Sequence, residues 1–109
     1  MEQKSVIIIG AGLGGLALSG MLGKKGYKVT LLEKNDSVGG RARLWQKDGF
    51  TFDLGPSWYM MPDVFEHFFS LMDEDINDYI SLQKLGPSYR VFLKSNGAEY
   101  DFYGDIEKN

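Results

Sequence analysis

Six residues near the amino terminus, Gly10-Ala11-Gly12-Leu13-Gly14-Gly15, fit the spacing G-x-G-x-x-G. The chemistry of that spacing is anion binding by main chain. Gly10 permits a tight turn, Gly12 lets the backbone approach a pyrophosphate, and Gly15 lets a helix pack closely on a strand. A helix that begins there presents unpaired N–H groups and a partial positive charge to the phosphates. Glu33 closes the next apolar run, where a carboxylate can accept hydrogen bonds from the ribose hydroxyls of an adenosine and repels a 2′-phosphate. Val38-Gly39-Gly40-Arg41 then offers flexible backbone plus a fixed cation. A site for NAD alone does not need that second element, and in isolation it reads as a generic turn before a strand. FAD and NAD both remain open on these residues.

The elements that must hold these groups are legible in the hydrophobic pattern. Ser5-Val6-Ile7-Ile8-Ile9 is a β-branched run without alternation, the pattern of a strand buried on both faces. Residues 13–25 carry Leu, Ala and Met at helical spacing, with Lys24 and Lys25 in the last turn and Gly26 as the C-cap. Residues 27–32 are a second buried strand, so the pair is expected to be parallel with a right-handed crossover. Strands over 42–46 and 50–53 flank Lys47-Asp48-Gly49, which is hairpin chemistry. Gly55-Pro56 breaks the chain. Pro62 opens a helix with Val64, Phe65, Phe68, Phe69, Leu71 and Met72 on its apolar face, and the acidic stretch 73–78 stops it. A last hairpin, 89–94 with 98–103, turns at Ser95-Asn96-Gly97.

Composition removes other chemistries. Fourteen of the 109 residues are glycine, and nine of these fall in the first forty without a three-residue period, which excludes collagen. There is no cysteine, so disulfides, thiolate metal sites and cysteine nucleophiles are excluded. His67 is the sole histidine, too little for a His-based metal cluster or a Ser-His-Asp triad; on a Phe-rich helix it reads as a half-exposed packing residue. A net charge of −3 argues against a nucleic-acid partner. Residues 1–47 nonetheless hold eight Lys/Arg against three Asp/Glu, and 48–109 hold four against twelve, which suits a small anionic ligand at the front. The uncharged run 6–23 contains six glycines and divides better into strand, turn and helix than into a membrane span.

Taken together, Gly10 to Gly15, Leu31-Leu32-Glu33-Lys34 and Gly39-Gly40-Arg41 resemble the FAD-binding N-terminus of the flavin amine oxidase superfamily. Asp48-Gly49-Phe50-Thr51-Phe52-Asp53-Leu54-Gly55-Pro56-Ser57 resembles, within that group, the bacterial carotenoid desaturases (the phytoene desaturase/dehydrogenase family). The resemblance covers essentially the whole chain. It implies an α/β fold: a Rossmann-like βαβ FAD-binding half, then short β-hairpins and one helix, as a partial domain of a larger two-domain flavoprotein. Residues 1–57 would be the N-terminal part of the FAD-binding domain and 58–109 the start of a substrate domain. Members of the family are much longer, so the chain is expected to be an N-terminal piece, inactive and with weak or absent FAD binding by itself.

The resemblance implies roles residue by residue. Gly10, Gly12, Leu13, Gly14 and Gly15 would hold the FAD pyrophosphate, and Glu33 the ribose with Lys34 beside it. Gly40 and Arg41 would approach the pyrophosphate or ribityl chain, and Gly55 would pass near the flavin ring. The parent reaction would be FAD-dependent dehydrogenation of a C30 or C40 polyene, with no catalytic acid or base and no metal among these residues. The implied partners are a lipophilic polyene and peripheral contact with the cytoplasmic membrane from a cytoplasmic location. Another flavin oxidoreductase, such as an amine or protoporphyrinogen oxidase, and a non-catalytic dinucleotide module are the alternatives. Fourteen of fifteen aromatics lie from Trp45 to Tyr103; they are expected to be core under the hairpins rather than a polyene channel or membrane contact. Self-association through uncovered surface is expected.

Overall fold

The β-branched run forms strand β1 (Ser5–Ile9), followed by helix α1 (Leu13–Lys24) and strand β2 (Lys28–Leu32). The computed structural model describes residues 3–104, which divide after Ile76 into two compact units. β1 and β2 pair in parallel, from Ser5 opposite Lys28 to Ile9 opposite Leu32. α1 ends in a Schellman motif: the Tyr27 N–H reaches Leu22 O at 3.1 Å and the Gly26 N–H reaches Gly23 O at 2.8 Å. Gly26 has φ 83°, so the glycine anticipated as the cap is the one that reverses the chain.

Burial corrects the expectation that these strands are covered on both faces. Ile8 is buried and Val6 half-buried, whereas Ile7 and Ile9 are 67% and 87% exposed. β2 alternates in the same way. α1 packs against both strands and can shield only alternate residues, because successive side chains point to opposite faces.

Strands β3 (Leu44–Lys47) and β4 (Phe50–Asp53) form an antiparallel hairpin. Its turn residues Asp48 and Gly49 have φ 51° and 84°, the conformation that matches strand twist in a two-residue loop. β3 starts two residues later than anticipated, because Gly40–Ala42 closes a single 3-10 turn first. Trp45 faces Phe52 across the hairpin, with ring centroids 5.5 Å apart.

Helix α2 (Pro62–Leu71) begins with its proline in the first turn and Asp63 at the favourable end of the dipole. Phe65, Phe68, Phe69 and Met72 are half-buried, while Val64, His67 and Leu71 are exposed, so the buried face is narrower than anticipated. Met72 and Phe68 lie against Gly20 of α1, where an added Cβ would sit 3.4 Å from the Met72 Cε. Lys24, at the end of α1, donates to Leu71 O at 2.5 Å and pairs with Asp73 at 2.7 Å. One lysine thus satisfies a terminal carbonyl of α2 and offsets the carboxylate at its negative end. The aromatic core anticipated around residues 58–61 does not form: Trp58 is 54% and Met60 64% exposed. Among the described residues the buried apolar side chains are Ile8, Ala11 and Ile76.

The second unit is built on strands β5 (Tyr89–Phe92) and β6 (Glu99–Phe102), antiparallel and shorter than anticipated. Leu93 and Ala98 close the connection backbone to backbone at 2.9 Å, with Gly97 at φ 70°. Tyr89 stacks on Phe102 at 4.8 Å. Arg90 grips Asp101 opposite it through Nε at 2.5 Å and Nη2 at 2.9 Å. That fork holds the Asp101 carboxyl below, and the Arg90 guanidinium above, their ordinary values. Among the described residues no helix is long and apolar enough to cross a membrane.

Candidate functional site

The turn after β1 is assembled by main-chain contacts. The Gly10 N–H continues the parallel ladder to Leu32 O at 2.7 Å. An added Cβ on Gly15 would collide with the Gly10 carbonyl oxygen, so only glycine lets α1 start this close to β1. Ala11 is completely buried, and its carbonyl accepts the Gly39 N–H at 2.7 Å. Gly12 and Gly39 form a parallel bridge, and a Cβ on Gly40 would lie 3.0 Å from the Gly12 Cα. A third segment closes in behind: Leu54 N–H reaches Arg43 O at 3.1 Å, and Gly55 abuts the Arg41 carbonyl so tightly that a Cβ would overlap it. Three glycine-bearing stretches, remote in sequence, meet backbone to backbone.

Between them lies a cleft of about 760 Å³ lined by residues 12–14, 39–42 and 54–56, within the usual range for a small-molecule site. Gly12 and Gly14 have open space where a side chain would be. No side chain caps α1 and no acid occupies its first turn, so its N-terminal N–H groups are left for an anion. Arg41 is exposed at the wall and is the one ionisable side chain among the described residues that line the cleft. These features fit a pyrophosphate: a bare backbone cradle, a helix dipole and one cation. Of the anticipated binding residues, Gly12, Leu13, Gly14, Gly40, Arg41 and Gly55 line the cleft. Gly10 and Gly15 shape the turn behind it. Lys34 is exposed and His67 lies on α2; neither lines the cleft.

Glu33 ends β2 beside the same turn. Its Oε2 accepts the Ala11 N–H at 2.8 Å; its Oε1 accepts the Asn35 N–H at 3.0 Å and the Asn35 Nδ2 at 2.5 Å. The Ala11 and Asn35 N–H groups hold the carboxyl below its ordinary value, outweighing the opposing effect of desolvation. The sequence reading gave no role to Ala11 or Asn35, and it took Gly39 as flexible loop backbone without its docking on Ala11 and Gly12. An Asn two residues after an acid is a local signal that could have been found, since Asn commonly bonds to near neighbours. Nothing local marks Ala11 or the Gly12–Gly39 bridge.

Residues 8–74 match the NAD(P)-binding Rossmann-like domain. The carotenoid 3,4-desaturase of Haloarcula japonica is 49% identical over 108 residues, 99% of this chain and 22% of that protein. A 4,4'-diapolycopene oxygenase of Methylomonas sp. is 45% identical over 97% of this chain and 21% of its own length. The 4,4'-diapophytoene desaturase (4,4'-diaponeurosporene-forming) of Staphylococcus aureus strain MRSA252 is 45% identical over 81% of this chain and 18% of its own. A structure of putrescine oxidase with putrescine bound superposes with a TM-score of 0.60 at 32% identity, covering 95% of this chain and 22% of that one. The chain therefore spans about a fifth of the length of these relatives.

Proposed function

Because the chain belongs to the NAD(P)-binding Rossmann-like domain family, we propose that it is the FAD-binding segment of an oxidoreductase that desaturates a C30 or C40 carotenoid precursor. The observation that carries the dinucleotide half is the meeting of three glycine segments around an uncapped helix start, with a carboxylate fixed at the end of β2. The flavin and polyene half is supported by the relatives: desaturases of carotenoid and diapophytoene, and an amine oxidase of related structure.

In this reading Gly12, Leu13, Gly14, Gly40 and Arg41 hold the pyrophosphate, Glu33 the adenosine ribose, and Gly55 the approach to the ring system. When bound, FAD supplies the two-electron acceptor for dehydrogenation. The chain's own residues bind and orient it; among the described residues that line the cleft none is a proton acceptor. The substrate domain starts at residue 58 in this reading, and the exposed Trp58, Met60 and Met61 offer apolar surface to a polyene or to lipid. A cytoplasmic location with peripheral membrane contact belongs to the same proposal, since such a polyene partitions into lipid.

A chimera tests it directly: the 109-residue chain replaces the matching segment of the Haloarcula japonica enzyme. Retention of FAD and desaturation of the polyene is the expected result. A folded chimera that takes NAD, or no dinucleotide, would sink the proposal. The 109-residue chain alone is expected to bind FAD weakly or not at all, because two parallel strands are a small part of the sheet such sites usually rest on. The putrescine oxidase likeness favours a second reading, amine oxidation, which turnover of an amine but not a polyene by the chimera would select.

A further inference from the structure

The function above leaves Asn35 without a role. Asn35 is exposed and lies in the loop between Glu33 and the Gly39-Gly40 pair. Its main-chain N–H and its side-chain amide converge on one carboxylate oxygen, Glu33 Oε1, at 3.0 and 2.5 Å. The other oxygen, Oε2, is tied to the Ala11 N–H at 2.8 Å. A glutamate side chain at a strand end has several rotamers open to it, and fixing one carries an entropy cost. Here donors on both oxygens fix the carboxylate before any ligand arrives. An ionised carboxylate has about four acceptor positions, so three N–H donors leave capacity for a hydroxyl.

We propose that Asn35 is a positioning residue for adenosine-ribose recognition: it locks Glu33 in the orientation from which its carboxylate receives a ribose hydroxyl. The proposal rests on the dinucleotide reading of the cleft, with Glu33 as the group that touches the ribose and Asn35 acting only through it. The groups acting on Glu33 are its three hydrogen-bond donors, the Ala11 N–H, the Asn35 N–H and the Asn35 amide, and, with the smallest effect, the Lys34 N–H, which makes no hydrogen bond of ordinary geometry to it. No charged side chain is among them, so an effect of replacing Asn35 reads as hydrogen bonding and not as altered charge.

Two measurements test this, the first on the 109-residue chain and the second on the chimera described above. Carboxyl NMR titration of Glu33 needs no ligand: Asn35→Ala is expected to raise the midpoint and Asn35→Ser, which keeps a donor, to restore part of the shift. An unchanged midpoint overturns the proposal. The second compares FAD with its 2′-deoxy- and 3′-deoxyadenosine analogues at concentrations high enough for weak binding. Loss of a contacting hydroxyl is expected to weaken wild-type binding about tenfold, the size of one hydrogen bond, and to weaken Asn35→Ala by less than about threefold. A deoxy penalty equal in both chains overturns the positioning role while leaving the FAD reading intact. No binding of any dinucleotide by the folded chimera, with the Asn35-dependent midpoint still present, overturns the FAD reading and the ribose role with it.

Discussion

The glycine cleft and the β5–β6 hairpin solve opposite problems with opposite means. In the cleft, main chain contacts main chain: Ala11 with Gly39, Gly12 with Gly40, Arg41 with Gly55. Side chains are absent where a ligand needs room, and close approach substitutes for side-chain packing. In the hairpin the backbone ladder is ordinary, and side chains fix the register through a stacked Tyr89–Phe102 pair and the Arg90–Asp101 fork. The lesson is that tolerance to substitution should be read by geometry, not by how polar or exposed a region is. The cleft is solvent-open yet intolerant at specific Cα atoms; the hairpin is equally exposed yet built from replaceable parts.

Gly15→Ala gives the largest effect. Helix propensity favours alanine by about 1 kcal/mol, but the new methyl would strike the Gly10 carbonyl, and overpacking of this kind costs roughly 3 kcal/mol. The clash wins. Chemical denaturation should show a destabilised first unit, and a stable variant would contradict the close approach. Gly12→Ala separates folding from binding within the same motif. Gly12 has φ −72° and ψ 177° with no atom near its missing Cβ, so stability should stay within about 0.5 kcal/mol. FAD affinity, measured by fluorescence titration, should nevertheless fall at least about tenfold, because the methyl enters the cradle.

The acid limb comes next. Glu33 is held below its ordinary value of 4.5 by N–H donors. Its contribution to ordering the turn is therefore complete above that value and lost as pH falls through the lower folded-state value. FAD binding should be flat from neutrality to about pH 4.5 and weaken below, and Glu33→Gln should flatten that limb. The smallest effect is Arg90→Ala. The pair is exposed, and such pairs contribute little. A thermal melt should move by a few degrees at most, and FAD affinity should stay within about twofold.

Much of this contrast was legible in the sequence. The fingerprint, the helix stop at Gly26, the turns at Asp48-Gly49 and Asn96-Gly97 and the start of α2 at Pro62 all follow from local backbone chemistry, and the strand limits move by one or two residues. What was not legible depends on which segments meet. The run Val6 to Ile9 is apolar throughout, so only the position of α1 separates buried Ile8 from exposed Ile7 and Ile9. The docking of Gly39-Gly40 on Ala11 and Gly12 uses backbone groups that every residue carries, and Gly55 meets Arg41 through a carbonyl. The exposure of Trp58 and Met60 shows the same limit: aromatic content announces apolar surface without saying what covers it.

The bond from the Gly39 N–H to Ala11 O also has a kinetic meaning. Its partners are separated by the whole of α1 and β2, so its closure carries the loop entropy of the entire crossover, which pairing of the two strands offsets. Contacts between sequence-distant partners come late because the loop must be ordered first. The cradle is thus complete only in a chain whose parallel pair already exists. A collapsed but unpaired chain offers the dinucleotide no second wall, so ligand capture reports on finished topology and not on mere compaction.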